Sequence, residues 1–214
     1  MTLQISQWVL DQMLDALVEQ GYFEWPNAID AALCAALLSE VEAYERQQDL
    51  VEAGIGRGEG HQLNQQVRRD KIRWLDGSTS AQVLYLQQMA QLQHEINRAL
   101  FLGLFEYECH FALYSPGDFY KKHSDSFRGK ANRMVTTVAY LNPDWQQEDG
   151  GELVIYNEAG DQALLNVLPE LGKLVVFMSE QVPHEVRVTH RSRVSIAGWF
   201  RCNASRRGMV DPAY

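Results

Sequence analysis

The sequence has few cysteines, no long apolar run and no excess of basic residues. Its three cysteines, Cys34, Cys109 and Cys202, are far apart and form no Cys-x-x-Cys spacing, which argues against a disulfide framework or a zinc knuckle. No apolar stretch approaches the ~18 residues of a membrane span, and no basic segment precedes an apolar run at the N-terminus. We therefore expect a soluble, cytoplasmic protein with buried thiols and no membrane partner.

The charge balance disfavours polyanionic partners. Asp and Glu total 28 against 19 Lys and Arg, a net charge of −9, so phosphate backbones and anionic membranes would repel the chain. We expect no nucleic-acid partner. The 214 residues are 46% hydrophobic and 22% charged, an ordinary globular composition with ample material for a core.

The two halves of the chain have different patterns of apolar residues. Apolar residues recur at spacings of three and four in segments 5–17, 31–44 and 80–102, which predicts three helices. Gly21 is expected to end the first helix, and Asn27 or Asp30 to cap the second. We predict one domain in which residues 1–105 form a helical support, 106–202 form the core and 203–214 form a tail.

Short strands separated by turn signals dominate the second half. The predicted strands are 109–115, 119–123, 134–141, 152–156, 163–167, 173–178, 185–188 and 193–202. Such a run favours a sandwich or jelly roll over a parallel α/β sheet. The predicted class is therefore α+β, mainly β.

A long polar loop separates the second and third predicted helices. Gly54 to Arg69 contains four glycines and three arginines and almost nothing apolar. Compact domains keep such loops for function or leave them disordered. We expect this loop, within residues 50–70, to be mobile alone and to order against a partner.

Three side chains suggest a metal site. His123 and Asp125 form His-Ser-Asp at a strand end, where residues two apart point the same way, and His184 stands near the start of a later strand. Two histidines and one carboxylate make the facial triad that holds Fe(II) and leaves coordination positions open. Alone the pattern is weak, because six histidines and 28 acids produce His-x-Asp by chance.

An arginine nine residues after His184 strengthens the metal hypothesis. Arg193 opens a strand whose alternation places on one face Arg193, Ser195, Ala197 and Trp199. The opposite, apolar face carries Val194, Ile196 and Phe200. An arginine above small residues fits a cavity floor, where a dicarboxylate co-substrate would supply a bidentate partner. An exposed arginine among Arg187, Arg191 and Arg201 is an equally good interpretation of Arg193 alone.

The stretch from Tyr114 to Phe200, which contains the triad and Arg193, resembles the Fe(II)- and 2-oxoglutarate-dependent prolyl hydroxylases. Within that family it resembles the branch of the animal oxygen-sensing enzymes and their bacterial relatives. The triad with its ninth-residue arginine is typical of the superfamily. Two segments resemble the branch: Asp70-Lys-Ile-Arg-Trp74 and Tyr140-Leu-Asn-Pro-Asp-Trp145. The resemblance covers roughly residues 50–202.

The resemblance implies a double-stranded β-helix, or jelly roll, supported by N-terminal helices. It implies Fe(II) ligation by His123, Asp125 and His184. Arg193, with the hydroxyl of Tyr140, would bind the far carboxylate of 2-oxoglutarate, and Tyr114 would lie beside its metal-proximal end. Trp199 would lie near the proline pocket. Asp70 would pair with Arg133 at the cavity mouth, both of them among the substrate-binding residues.

The activity implied by the resemblance is hydroxylation of a prolyl residue in a protein substrate. We expect the protein to be a monomer. The co-substrates would be 2-oxoglutarate and O2, the products succinate and CO2, and the reductant ascorbate. Bacterial relatives suggest elongation factor Tu as the substrate. Two alternatives stay open: an oxygenase of the same fold acting on a free amino acid or another small molecule, and a non-enzymatic jelly-roll module that binds metal. Departures at Lys121-Lys122 and Phe127-Arg128 leave the substrate open.

Overall fold

The computed structural model describes residues 6–54, 64–126 and 132–202. Its three α-helices match the predicted segments: α1 (Gln7–Glu19), α2 (Ala31–Arg46) and α3 (Ser80–Leu100). Asp30 caps α2, because its carboxylate accepts hydrogen bonds from the backbone N–H groups of Ala32 and Leu33. The predicted tail, the loop centre at 55–63 and Phe127-Arg128 lie outside the described residues.

Antiparallel strands build the rest of the described chain. They are β1 (Tyr22–Trp25), β2 (Val51–Glu52), β3 (Lys71–Trp74), β4 (Leu104–Tyr114), β5 (Tyr120–His123), β6 (Arg133–Tyr140), β7 (Leu153–Tyr156), β8 (Ala163–Val167), β9 (Leu174–Met178), β10 (His184–Val186) and β11 (Arg193–Cys202). The larger sheet has the order β1-β9-β6-β11-β4-β3-β2, and the smaller sheet β5-β10-β7-β8. The predicted jelly-roll core is confirmed, and the eight predicted strands correspond to β4 to β11.

The N-terminal half contributes strands as well as helices. β1 pairs with β9 at one edge of the larger sheet, and β3 pairs with β4 toward the other. β3 lies within the segment Asp70–Trp74 that carries the resemblance, whereas β1 and β2 coincide with no feature predicted above. Strands of four and two residues are too short for alternation to stand out, and they form because a long sheet offers them an open edge.

The larger sheet separates two apolar layers. One packs the helices against it and includes Met13, Leu37, Met89, Ile196 and Phe200. The other fills the space between the sheets and includes Tyr114, Val138, Tyr140, Ile155 and Phe177. The predicted alternation along β11 is confirmed, since its apolar face lies under the helices and its arginine-bearing face lines a cavity.

The cysteines are free thiols, as expected. Cys34 and Cys109 are buried and Cys202 is partly buried. Burial raises the pKa of the Cys34 thiol to about 11, so it stays protonated at neutral pH. Among the helices described, none combines the length and apolar character needed to cross a membrane.

Candidate active site

The smaller sheet brings the predicted metal ligands together. His123 ends β5 and His184 begins β10, and the two residues are directly opposite each other in the antiparallel pair. Asp125 follows two residues after β5. The ligand atoms of these three side chains all lie within 4.8 Å of one another. His123 Nε2 is 3.5 Å from Asp125 Oδ1, and His184 Nε2 is 3.7 Å from Asp125 Oδ2.

Backbone carbonyls orient both imidazoles. His123 Nδ1 lies 2.7 Å from the carbonyl oxygen of Lys121, and His184 Nδ1 lies 3.0 Å from that of Val182. A carbonyl oxygen only accepts, so each Nδ1 carries a proton and donates it. In the neutral tautomer this leaves the Nε2 lone pair directed toward the triad, as in metal-binding histidines.

Electrostatics favour a ligating state for the triad. Burial, together with the neighbouring His123, lowers the pKa of His184 to about 4, so His184 is neutral at neutral pH. Burial would raise the pKa of Asp125, but His184, His123 and Arg133 outweigh it and hold that pKa well below its usual range. A neutral imidazole and a carboxylate therefore face each other here, which suits a divalent cation.

A buried arginine forms the second part of the site. Arg193 is 1% exposed, and its Nε donates to the carbonyl of Gly151 over 2.8 Å while Nη1 donates to Ser195 Oγ over 3.2 Å. Gly151 has a φ of +68°, which favours glycine, and a Cβ there would approach Arg193 Cδ to 3.0 Å. Among the described residues, Arg193 Nη2 has no hydrogen-bond partner. The guanidinium is therefore held in place while Nη2 stays unused.

A tyrosine hydroxyl lies beside this guanidinium. Arg193 Cζ is 5.1 Å from the ring centroid of Tyr140 and 4.9 Å from that of Tyr114. The buried Tyr140 hydroxyl likewise has no partner within the described parts of the chain. Burial raises the pKa of Tyr140 to about 12, so the hydroxyl keeps its proton. Two unused buried donors in one place are costly unless an acceptor binds them, and a carboxylate is the kind of acceptor that pairs with a guanidinium.

One cavity joins the two parts. Its lining includes the triad, Arg193, Tyr114, Arg133 and Trp199 from the sequence-predicted set. Apolar side chains of Val138, Leu153 and Val186 complete the wall between them. Tyr140 belongs to the buried apolar layer that also contributes Tyr114 and Val138 to the lining. The site thus combines a polar end for a metal, a cationic end for an anion, and an apolar wall.

The expected pair between Asp70 and Arg133 is wrong. Asp70 is fully buried and accepts two hydrogen bonds from Arg68, at 2.6 Å from Nε and 2.7 Å from Nη2. Arg133 instead places Nε and Nη2 each 2.7 Å from Glu108 Oε1. Arg68 lies two residues from Asp70 on the same segment, so the bidentate pair forms locally. Arg68, rather than Asp70, reaches the cavity wall.

Several cavity residues were not predicted from the sequence. Tyr120 stacks on His123, with ring centroids 3.6 Å apart, and Arg68 covers Tyr120 at 4.7 Å from its centroid. Arg133 Cζ lies 3.5 Å from the ring centroid of Trp199, and Glu108 holds that guanidinium. Glu108 and Trp199 are cross-strand partners in β4 and β11. Only this register, which no local pattern specifies, could have identified Glu108.

A jelly roll that carries two histidines, one carboxylate and a buried arginine in one cavity has the features of a non-haem Fe(II) oxygenase of the 2-oxoglutarate type. The family model of the 2OG-Fe(II) oxygenase superfamily matches residues 109–201. A crystal structure of a Pseudomonas putida prolyl-4-hydroxylase is 40% identical, with a TM-score of 0.83, over 90% of this chain and 99% of that one. The chain belongs to the 2-oxoglutarate- and Fe(II)-dependent oxygenases, within the prolyl 4-hydroxylase family.

Animal relatives are more distant. Human Egl nine homolog 1 is 31% identical over 63% of this chain but only 33% of its own length, so the chain spans about a third of that relative. A Trichoplax adhaerens prolyl hydroxylase, solved with a hypoxia-inducible factor peptide, is 24% identical with a TM-score of 0.83. The match covers 93% of this chain and 91% of the Trichoplax chain, and it shows that the two proteins share a fold.

Proposed function

We propose that this protein is an Fe(II)- and 2-oxoglutarate-dependent dioxygenase that hydroxylates a prolyl residue of a protein substrate and releases succinate and CO2. The observation that carries the proposal is the pairing of a His-Asp-His triad with two unused buried donors, Arg193 Nη2 and Tyr140 Oη. A metal-binding module without activity has no use for those donors. Both side chains require a bound acceptor to offset their burial.

The triad residues would hold the metal. His123 and His184 would bind through Nε2, since Nδ1 of each ring is committed to a backbone carbonyl, and Asp125 would supply one negative charge. Bound Fe(II) supplies the activation of O2 that inserts oxygen into a carbon–hydrogen bond. Ascorbate is proposed as the reductant that maintains the ferrous state.

The arginine end would orient the co-substrate. Arg193 donates through its free Nη2, Tyr140 adds a neutral hydroxyl, and Ser195 and Gly151 keep the guanidinium from rotating. The far carboxylate would thus be fixed before reaction, which lowers the entropic cost of reaching the reactive geometry. The apolar wall excludes water from the space between the carboxylate and the metal.

The substrate end of the cavity supports a peptide rather than a small metabolite. Trp199 and His110 line it, their ring centroids are 5.4 Å apart, and the half-exposed Trp74 extends the aromatic surface outward. Aromatic faces suit a proline ring and the apolar surface of its flanking residues. The Pseudomonas putida and Trichoplax adhaerens relatives are named as prolyl hydroxylases, which supports the same class. Elongation factor Tu is proposed as the first protein to test.

Mass spectrometry tests this function directly. Purified protein, Fe(II), 2-oxoglutarate and ascorbate are incubated in air with elongation factor Tu or with host lysate, and peptides are searched for proline heavier by one oxygen. His184→Ala is the matched control, and the modification must be absent with it. Succinate release stimulated by a free amino acid, without peptide modification, would favour the small-molecule oxygenase. Absence of succinate under every condition would favour the non-enzymatic metal-binding module.

A further inference from the structure

A pair of buried hydroxyls lies behind the carboxylate of the triad. Thr136 Oγ1 is 2.8 Å from Asp125 Oδ2 and also 2.8 Å from Ser179 Oγ. Thr136 is 1% exposed and Ser179 is fully buried. Neither residue belongs to the metal or co-substrate sets described above, so their contact with Asp125 requires its own explanation.

The direction of these hydrogen bonds follows from the chemistry of the groups. An ionised carboxylate can only accept, so the Thr136 hydroxyl gives its single proton to Asp125. Thr136 Oγ1 can then only accept from Ser179, whose hydroxyl proton is the one left for that contact. The chain therefore runs from Ser179 through Thr136 to Asp125. A donor that itself accepts a hydrogen bond is polarised and donates more strongly.

The two hydroxyls connect Asp125 to the larger sheet. Thr136 lies in β6 and faces the cavity, while Ser179 directly follows β9 and is anchored by its backbone N–H to the carbonyl of Met134. The two histidine ligands lie in paired strands of the smaller sheet. Asp125 lies in no strand, so its carboxylate depends on side-chain contacts for its orientation.

We propose that Thr136 and Ser179 are positioning residues that hold the Asp125 carboxylate in its metal-binding orientation and thereby raise the affinity of the triad for a divalent cation. The inference rests on the metal site of the proposed function and adds two residues to it. Loss of a hydrogen-bond partner of a metal ligand typically weakens metal binding by about tenfold to a hundredfold. Ser179, one hydrogen bond further away, is expected to contribute less than Thr136.

Titration of metal-free protein with Co(II), followed by visible absorption, measures this affinity without any turnover. Thr136→Val keeps the side-chain shape and removes the hydroxyl, so we expect Co(II) binding about tenfold to a hundredfold weaker than wild type. Thr136→Ser restores the donor and is expected to restore the affinity. Ser179→Ala is expected to give a smaller loss.

Thr137→Val is the matched control. Thr137 is the next residue in β6 and is also fully buried, but its hydroxyl contacts Tyr107 Oη at 2.7 Å, away from the triad. This variant loses a buried hydroxyl of the same kind and should bind Co(II) like wild type. An equal loss in Thr137→Val and Thr136→Val would overturn the proposal, because it would show a general effect on the strand.

Two further outcomes separate the inference from the function on which it rests. If wild type and Thr136→Val bind Co(II) equally, the positioning role is refuted while the metal site stands. If wild type binds no Co(II), or if His184→Ala binds it as well as wild type does, the metal site and the inference both fail. If Thr136→Val does not fold, Ser179→Ala provides the test. An unchanged Co(II) affinity in that variant refutes the proposed positioning role of the two hydroxyls.

Discussion

Replacement of Arg193 by lysine should selectively weaken the binding of 2-oxoglutarate. The guanidinium uses Nε for Gly151 and Nη1 for Ser195, and its Nη2 has no hydrogen-bond partner among the described residues. A lysine ammonium preserves the charge but places it on a single nitrogen, so it cannot replace a planar guanidinium whose three nitrogens donate in different directions. The variant must give up its hydrogen bond to the ligand or leave a buried acceptor unpaired.

The expected magnitude is that of one charge-assisted hydrogen bond. Such a bond is worth about 1.5–3 kcal/mol, and about 1.4 kcal/mol corresponds to a factor of ten in binding. Arg193→Lys should therefore raise the KM for 2-oxoglutarate by about tenfold to a hundredfold. The Fe(II) requirement should stay unchanged, because Arg193 contacts none of the metal ligands among the hydrogen bonds described.

The assay is succinate formation at saturating Fe(II) across a range of 2-oxoglutarate concentrations. Arg187→Lys is the matched control, because Arg187 lies in the same region with a side chain that is 49% exposed. It should leave both requirements unchanged. An unaltered KM for 2-oxoglutarate in Arg193→Lys would refute the assigned role and direct attention to Arg191 or Arg201.

Three other predictions test separate parts of the site. Tyr140→Phe removes one neutral hydrogen bond worth about 0.5–1.5 kcal/mol, so the KM for 2-oxoglutarate should rise by about two- to tenfold, and no rise would exclude the hydroxyl from binding. Asp125→Ala should abolish succinate formation while the circular dichroism spectrum stays native-like; wild-type turnover would refute the triad. Glu108→Gln weakens the ion pair that holds the Arg133 guanidinium against the Trp199 ring. It should therefore raise the KM for a prolyl peptide but leave the turnover of 2-oxoglutarate without peptide intact. An equal effect on both reactions would place Glu108 outside substrate binding.

The pH dependence of the metal-free protein should reflect two buried histidines. Burial lowers the pKa of His184 and of His110 to about 4, from an ordinary value near 6.5. The unfolded chain therefore binds more protons than the folded chain between these values, and the free energy of unfolding should fall as the pH decreases from about 6.5 to 4. Urea denaturation at pH 7 and pH 5 measures this loss, and His110→Leu should reduce the slope; equal slopes would contradict the burial argument.

Local pattern was sufficient for much of the site. His123 and Asp125, His184 and the arginine nine residues later were each selected from the sequence, and the structure brings all four side chains to one cavity. Alternation with a period of two also described the strand that Arg193 opens. The same alternation predicted which side of β11 lies under the helices and which lines the cavity. The resemblance to prolyl hydroxylases added Tyr140, whose role no spacing in this chain reveals.

Strand register between distant segments decided the rest. Asp70 was expected to pair with Arg133, but Arg68 is a nearer partner and Glu108 takes Arg133 instead. The contact of Thr136 with Ser179 exists because β6 and β9 pair with Thr136 opposite Phe177, which places Ser179 beside it. The sequence by itself therefore determined the strands β4 to β11, the two faces of β11 and the chemical groups that these strands carry. The tertiary structure alone decided which charged and hydroxyl groups pair, because those pairings depend on distances between strands that are remote along the chain.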